Sequence, residues 1–181
     1  GVDKFVKFTL EDNNVEIHYL VSSSSVRGAE MNDSDIKELK AKLKGWNEDV
    51  KMEFNALSIS AYASPEGELS KNENLANERA ASAAKSIEAL LKRAKVEIAE
   101  GFSTPVGKGE DWGGFKTMMQ ASDIADKDLI VRVLETYTDG TKREEEIKNI
   151  GKTYTEVSKK ILPQLRRSQA NLVMKHHNLT D

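Results

Sequence analysis

The chain has no cysteine among its 181 residues. Disulfide staples, thiolate zinc sites and cysteine nucleophiles are therefore excluded together. It also lacks an excess of positive charge. The 27 basic and 30 acidic side chains leave a net charge of −3, and nucleic-acid binding calls for a concentrated basic face. No apolar run approaches the length of a membrane span. The chain opens on Gly1-Val2-Asp3, and no signal-peptide pattern is read within it. An opening Gly without Met leads us to expect a chain cut from a longer one, with any targeting segment removed. Histidines number only three, His18, His176 and His177, and none lies in a nucleophile or metal motif. His18 reads as a locally satisfied strand side chain. The adjacent pair would point to opposite faces of a strand. Val106 to Asp111 contains Gly-Lys-Gly without Walker spacing, so it reads as a turn. Arg143 to Glu146, an Arg-Glu-Glu-Glu run, reads as a solvated helix face. With no catalytic constellation, no metal set and no cofactor motif, the expected protein is not an enzyme.

What is present is the material of an ordinary domain. Apolar residues make up 38 % and charged residues 31 %, enough for a core and a soluble surface. Val15 to Val21 alternates as a strand, with Lys4 to Leu10 expected as its hairpin partner across Glu11–Asn14. Asn32 is placed to cap a helix carrying Asp33 and Asp35 in its first turn and Ile36, Leu39, Leu43 and Trp46 as its stripe. Ala56 to Tyr62 alternates as a second strand. A long helix follows, with Ala76, Ala80, Ala83, Ala84, Ile87 and Leu91 on one face and Asn77, Glu78, Lys85, Glu88 and Lys92 on the other. A third strand is expected near Glu97 to Thr104, ended by Pro105 and Gly107.

The stretch from Glu110 to Leu165 is too long for a loop and carries helical signals of its own. Trp112, Phe115 and Met119 share a face. Asp126 is expected to cap a helix with Ile130, Val133, Leu134 and Tyr137. Thr141 with Glu144, and Thr153 with Glu156, form capping boxes. Gly140 and Gly151 read as helix stops and Pro163 as the end of the last helix. Three or four short helices are expected, turning their apolar faces to the sheet. Gln169 to Lys175 alternates as a closing strand. Two strand–helix–strand units imply that the Ile17 and Ile59 strands run parallel, with helices packed on one face. We expect one α/β domain over residues 1–181, with a helical insert at about 110–165.

One segment stands out. Ala63 to Ile87 reads ASPEGELSKNENLANERAASAAKSI, a polar turn running into a helix that carries Arg79 beside its apolar stripe. Asn72 and Arg79 are seven residues apart and line one edge of that helix, facing the loop that contains Ser64. A guanidinium there could hold a ligand carboxylate through two bonds, or pair with an internal acid such as Glu66, or cap a loop carbonyl.

These residues resemble the OmpA-like peptidoglycan-binding domain, whose motif runs from a strand through a Thr-Asp and Gly turn into Asn-x-x-Leu-Ser-x-x-Arg-Ala. Gly67, Asn72, Leu75, Arg79 and Ala80 match it, and Ala76 stands at the usual Ser. Arg166-Arg167 stand where the family often has an Arg-Arg pair before its closing strand. The wider pattern from about Val15 to Met174 is similar to a Bacteroidetes envelope-protein version with a helical insert. The resemblance implies an α+β sandwich with a mixed sheet and helices on one face. It implies a non-catalytic role in the periplasm or at the outer membrane, binding a diaminopimelate-type peptidoglycan stem peptide to anchor or sense the wall. In the family an Asp takes the ligand ammonium and the Arg its carboxylate. Here Ser64 stands at the Asp position, and a hydroxyl cannot neutralise a cation; Glu66 and Glu68 are the neighbouring acids. The implied ligand set is Ser64, Asn72, Arg79 and Arg167. The alternative is an envelope protein–protein interaction module with a vestigial groove.

Overall fold

A computed structural model describes residues 5–46 and 52–180 of the chain. Strand β1 (Phe5–His18) leads through a loop and a 3-10 turn (Glu30–Asn32) to helix α1 (Ser34–Lys44). Strand β2 (Met52–Ala63), helix α2 (Leu69–Arg93) and strand β3 (Ser103–Glu110) follow. Five helices come next: α3 (Trp112–Ala121), α4 (Lys127–Thr136), α5 (Gly140–Lys148), α6 (Lys152–Lys160) and α7 (Leu162–Leu165). Strand β4 (Arg167–Thr180) closes the chain. The sheet order is β1-β4-β2-β3, with β4 antiparallel to both neighbours and β2 parallel to β3. β1 and β2 therefore run in the same direction, as expected, but with β4 between them. This is a mixed α/β architecture built on a four-stranded mixed sheet.

One sheet face is buried and the other open. Val15, Ile17, Leu57, Ile59, Ala170 and Leu172 point inward, where they meet Ile36, Leu39 and Leu43 of α1 and the alanine face of α2. Alternation along each strand supplies the buried face, and the small α2 side chains let helix and sheet approach closely. Gly107 shows how closely. A Cβ there would lie 2.6 Å from the backbone nitrogen of Asn77 and 2.8 Å from its Cα, so the α2 backbone rests on β3 at a position open only to glycine.

Several local expectations change. No hairpin forms at Glu11–Asn14. The Asn13 amide instead donates to the Leu172 carbonyl at 3.2 Å, keeping β1 extended along β4; Lys4 lies outside the described residues. The third strand begins at Ser103 and runs through Pro105 and Gly107. At a sheet edge a proline need not interrupt a ladder. Val106 to Glu110 is thus strand, not turn. Asn32 ends the 3-10 turn, its amide on the Gly28 carbonyl, and Asp33 occupies the cap position of α1.

In the helical segment both capping boxes are displaced. Asp139 accepts from the Thr141 amide at the start of α5, so Gly140 opens that helix. Gly151 precedes α6, and the Thr153 hydroxyl donates to Asp126 at 3.1 Å. Asp126 itself adopts a left-handed backbone without capping α4 through its side chain. Pro163 lies in the first turn of α7, where its missing N–H costs nothing. Phe115, Met119, Ile130, Leu134, Ile147 and Leu165 pack mainly on one another in a second core. The five helices thus cover their apolar faces largely among themselves rather than on the sheet, and Trp112 and Tyr137 remain half-buried.

Candidate functional site

β2 ends at Ala63, the chain turns through Gly67 at φ 85°, and α2 starts at Leu69. A left-handed residue is needed at that turn, which glycine adopts without a Cβ penalty. The geometry brings Ser64, Asn72 and Arg79 to one end of the buried face, beside the start of β4. The surrounding loops decide what each can do.

Arg79 is only 1 % exposed. Its Nε donates to the Ser23 carbonyl at 2.9 Å, one terminal nitrogen to Tyr62 at 2.9 Å and the other to Leu20 at 3.2 Å. The guanidinium also lies 5.1 Å from the Tyr19 ring centroid. Of the readings left open by the sequence, capping of loop carbonyls is the one observed. Burial pushes its pKa down to about 10, so it is charged at neutral pH, and the three carbonyls stabilise that charge. Tyr19 supports the helix beneath: its hydroxyl donates to the Arg79 carbonyl at 2.9 Å and meets the Ser168 hydroxyl at 2.8 Å.

Ser64 is buried and donates to Glu66 at 3.0 Å. The same Glu66 oxygen accepts from Arg166 at 2.9 Å. The Asn72 amide bridges the Glu66 carbonyl and the Glu110 carboxylate, both at 2.7 Å. Trp112 donates its indole N–H to the other oxygen of Glu110 at 3.1 Å. Arg167 stands apart from this group. It pairs with Asp111 at 2.8 Å and stacks 4.6 Å from the Tyr62 ring centroid. Of the two acids near Ser64, Glu66 is committed to Arg166, and Glu68 lies in solvent beside Lys71 at 3.6 Å.

Arg166, Glu110 and Asp111 were missed as site residues from the sequence. Arg166 had a signal, the Arg-Arg pair before β4. The acids had none, because β3 was placed six residues too early. Arg166 is buried, and its Nε has no hydrogen-bond partner among the described residues. Two guanidiniums, Arg79 and Arg166, thus lie close enough to repel each other, with Glu66 the carboxylate beside them. Next to this network a cleft of about 540 Å³ opens between α2, the end of β3 and the start of α5, lined by Glu73, Asn77, Lys108, Glu110, Trp112 and Asp139. Its volume falls within the usual range for small-ligand sites.

The Arg143–Glu146 run is less solvated than expected. Arg143 donates to the Leu134 carbonyl at 2.7 Å and lies over Trp112, and Glu144 accepts from the Gly67 amide at 3.1 Å. His18 lies beside Glu30 at 3.4 Å, His176 beside Glu11 at 3.5 Å and His177 beside Glu53 at 3.3 Å. Among the described residues no group of three His, Asp or Glu side chains could hold a metal ion, and no helix is long and apolar enough to cross a membrane.

No family model matches the chain. No curated protein matches its sequence. Among solved structures, it is similar to the peptidoglycan-associated lipoprotein from Burkholderia pseudomallei, with a TM-score of 0.42 and 14 % sequence identity over 88 % of this chain and 89 % of that one.

Proposed function

We propose that this chain is a non-catalytic binding domain of the cell envelope, and that it takes a carboxylate-bearing ligand of the peptidoglycan stem-peptide class at the loop between β2 and α2. One observation carries the reading: beside the buried Arg79, the buried Arg166 pairs with Glu66 through one terminal nitrogen, and its Nε has no acceptor among the described residues. A buried donor without a partner costs about 1–3 kcal/mol, and a ligand carboxylate would fill it. The resemblance of Gly67, Asn72, Arg79 and Ala80 to the OmpA-like motif supports the same ligand class.

Roles shift within that reading. Arg79 is a positioning residue whose nitrogens shape the 20–23 loop. Ser64 and Asn72 hold Glu66 and Glu110 in place, Arg166 offers the free donor, and Arg167 stacks at the margin. The ligand body would occupy the adjacent cleft, where the Glu110 carboxylate, bonded only to neutral donors, can face an ammonium.

Calorimetric titration with a diaminopimelate-containing muropeptide tests this. Arg166→Gln should weaken binding by about tenfold or more, the loss of one charge-assisted bond. Arg166→Lys should recover only part of it, because an ammonium cannot present the planar fork. Equal affinity in wild type and both variants would overturn the assignment.

A second reading, the interaction module with a vestigial groove, is favoured by the enclosure of Arg79 behind three carbonyls. It expects no retention on purified peptidoglycan and no heat with the muropeptide.

A further inference from the structure

β1 lies at an edge of the sheet, and its two halves are treated differently. The Tyr19 amide donates to Arg166 at 2.8 Å, which sets the parity of the ladder: odd residues bond to β4, and even residues turn their N–H and C=O outward. At the C-terminal half this edge is blocked by side chains. The Glu16 amide donates to Asp35 at 2.8 Å and the His18 amide to Glu30. Among the described residues nothing comparable meets the amides of Phe8, Leu10, Asp12 and Asn14. A bare edge of this kind is a template for another strand.

The exposed side chains there are apolar. Phe8 is 53 % exposed and Leu10 is 65 % exposed, and both lie on the open face. Phe8 packs edge-on against His177 with centroids 5.0 Å apart, and Lys175 lies 3.8 Å from its ring centroid. The patch is therefore held in place by β4 rather than loose.

We infer that this edge pairs with the same edge of a second copy of the chain, antiparallel, about a two-fold axis at Thr9. The sequence selects both the occupant and the register. With the axis at Thr9, Phe8 faces the partner's Leu10 and Lys7 faces the partner's Glu11, each pair occurring twice. The outward parity makes Phe8 with the partner's Leu10 a hydrogen-bonded pair, which exchanges both backbone bonds. Lys7 has no ion pair among the described residues, and Glu11 is exposed enough to receive it beside Lys42 and His176. Moving the axis to Phe8 sets Lys7 against the partner's Thr9, and moving it to Leu10 sets Lys7 against the partner's Asn13 and Phe8 against the partner's Asp12. Neither alternative opposes Lys7 to Glu11. The outcome is a continuous eight-stranded sheet with an isologous interface.

Sedimentation and cysteine cross-linking test the inference. The wild type should show a concentration-dependent monomer–dimer equilibrium. Leu10→Lys should weaken it by about tenfold or more while circular dichroism and melting temperature stay unchanged, because the residue is exposed. Lys7→Glu should weaken association, and Lys7→Glu with Glu11→Lys should restore it. Because the chain has no cysteine, Thr9→Cys should form an intermolecular disulfide on oxidation. Opposed residues at a non-hydrogen-bonded site lie within disulfide reach. A strictly monomeric wild type, leaving the edge to another protein's strand, overturns the inference. So does a dimer indifferent to Leu10→Lys, or cross-linking through Phe8→Cys or Leu10→Cys in preference to Thr9→Cys.

Discussion

Single residues at the site are more constrained by the fold than by a prospective ligand. Arg79 joins three carbonyls from the 20–23 loop and the end of β2, so Arg79→Ala should cost about 3–5 kcal/mol, discounted from three charge-assisted bonds because the 20–23 loop can partly rehydrate. Urea denaturation checks this, and a loss under 1 kcal/mol would remove the structural role. Ser64 offers a sharper contrast. Had Ser64 merely stood in for an acid, Ser64→Asp would complete a ligand clamp. With its hydroxyl 3.0 Å from Glu66 in a buried position, a second carboxylate meets the first at close range. We expect Ser64→Asp to lower stability by about 1–3 kcal/mol without improving muropeptide binding. Tyr19 adds a pH dependence. Burial raises its pKa above the ordinary 10, outweighing the Ser168 bond and the Arg79 charge. The folded state therefore holds the phenolic proton more tightly than the unfolded state. That contribution is complete below pH 10 and is lost as pH rises through the folded value. Tyr19→Phe removes this slope but retains Arg79. The stability advantage of wild type over the variant, about 1 kcal/mol at pH 8 from the hydroxyl bond, should shrink above pH 10.

Among the elements, α2 and β3 are the most tightly matched pair. Their fit depends on Gly107, where an added Cβ meets the Asn77 backbone as well as its side chain. Gly107→Ala should cost about 1–3 kcal/mol as α2 is forced off the sheet. Since Asn77 and Gly107 both line the cleft, the same substitution should alter ligand affinity there. Gly67→Ala leaves open space around the new methyl but strains a backbone at φ 85°, so its cost is local and of about 1 kcal/mol. Paired thermal melts of the two variants separate steric from conformational cost; equal losses would contradict the close approach of α2.

At the level of the whole molecule the two apolar clusters raise the question of cooperativity. We treat residues 1–181 as one domain whose helical segment keeps its own core. It is tied to the sheet layer by Arg167 on Asp111, Glu144 on the Gly67 amide and Trp112 on Glu110. Those ties are polar and few, whereas each cluster is apolar and closed. Ile130→Ala, in the second cluster, should cost about 2–5 kcal/mol. Hydrogen exchange should report that loss in α3 to α6 while amides of β4 keep their protection. Equal loss of protection in β4 would show a single cooperative unit.

The sequence by itself determined the main helices and the strands other than β3, because periods of 3.6 and 2 are local properties. Ile36, Leu39 and Leu43, the alanine face of α2, and the alternation of Ala56–Tyr62 and Gln169–Lys175 all stand where the pattern put them. It also placed Ser64, Asn72 and Arg79 at one loop, since a motif of fixed spacing folds locally. Ends and partners lay beyond it. Glu11–Asn14 looks like a turn until the Leu172 carbonyl claims Asn13. Pro105 and Gly107 look like breakers until β3 is known to be an edge beneath α2. Thr141 looks like a cap until Asp139 takes the amide. Only the tertiary structure decided that Arg79 faces Ser23, Tyr62 and Leu20. Those acceptors are backbone carbonyls, which every residue carries and no side-chain pattern reveals, delivered by a loop and a strand end that meet only once the sheet has formed.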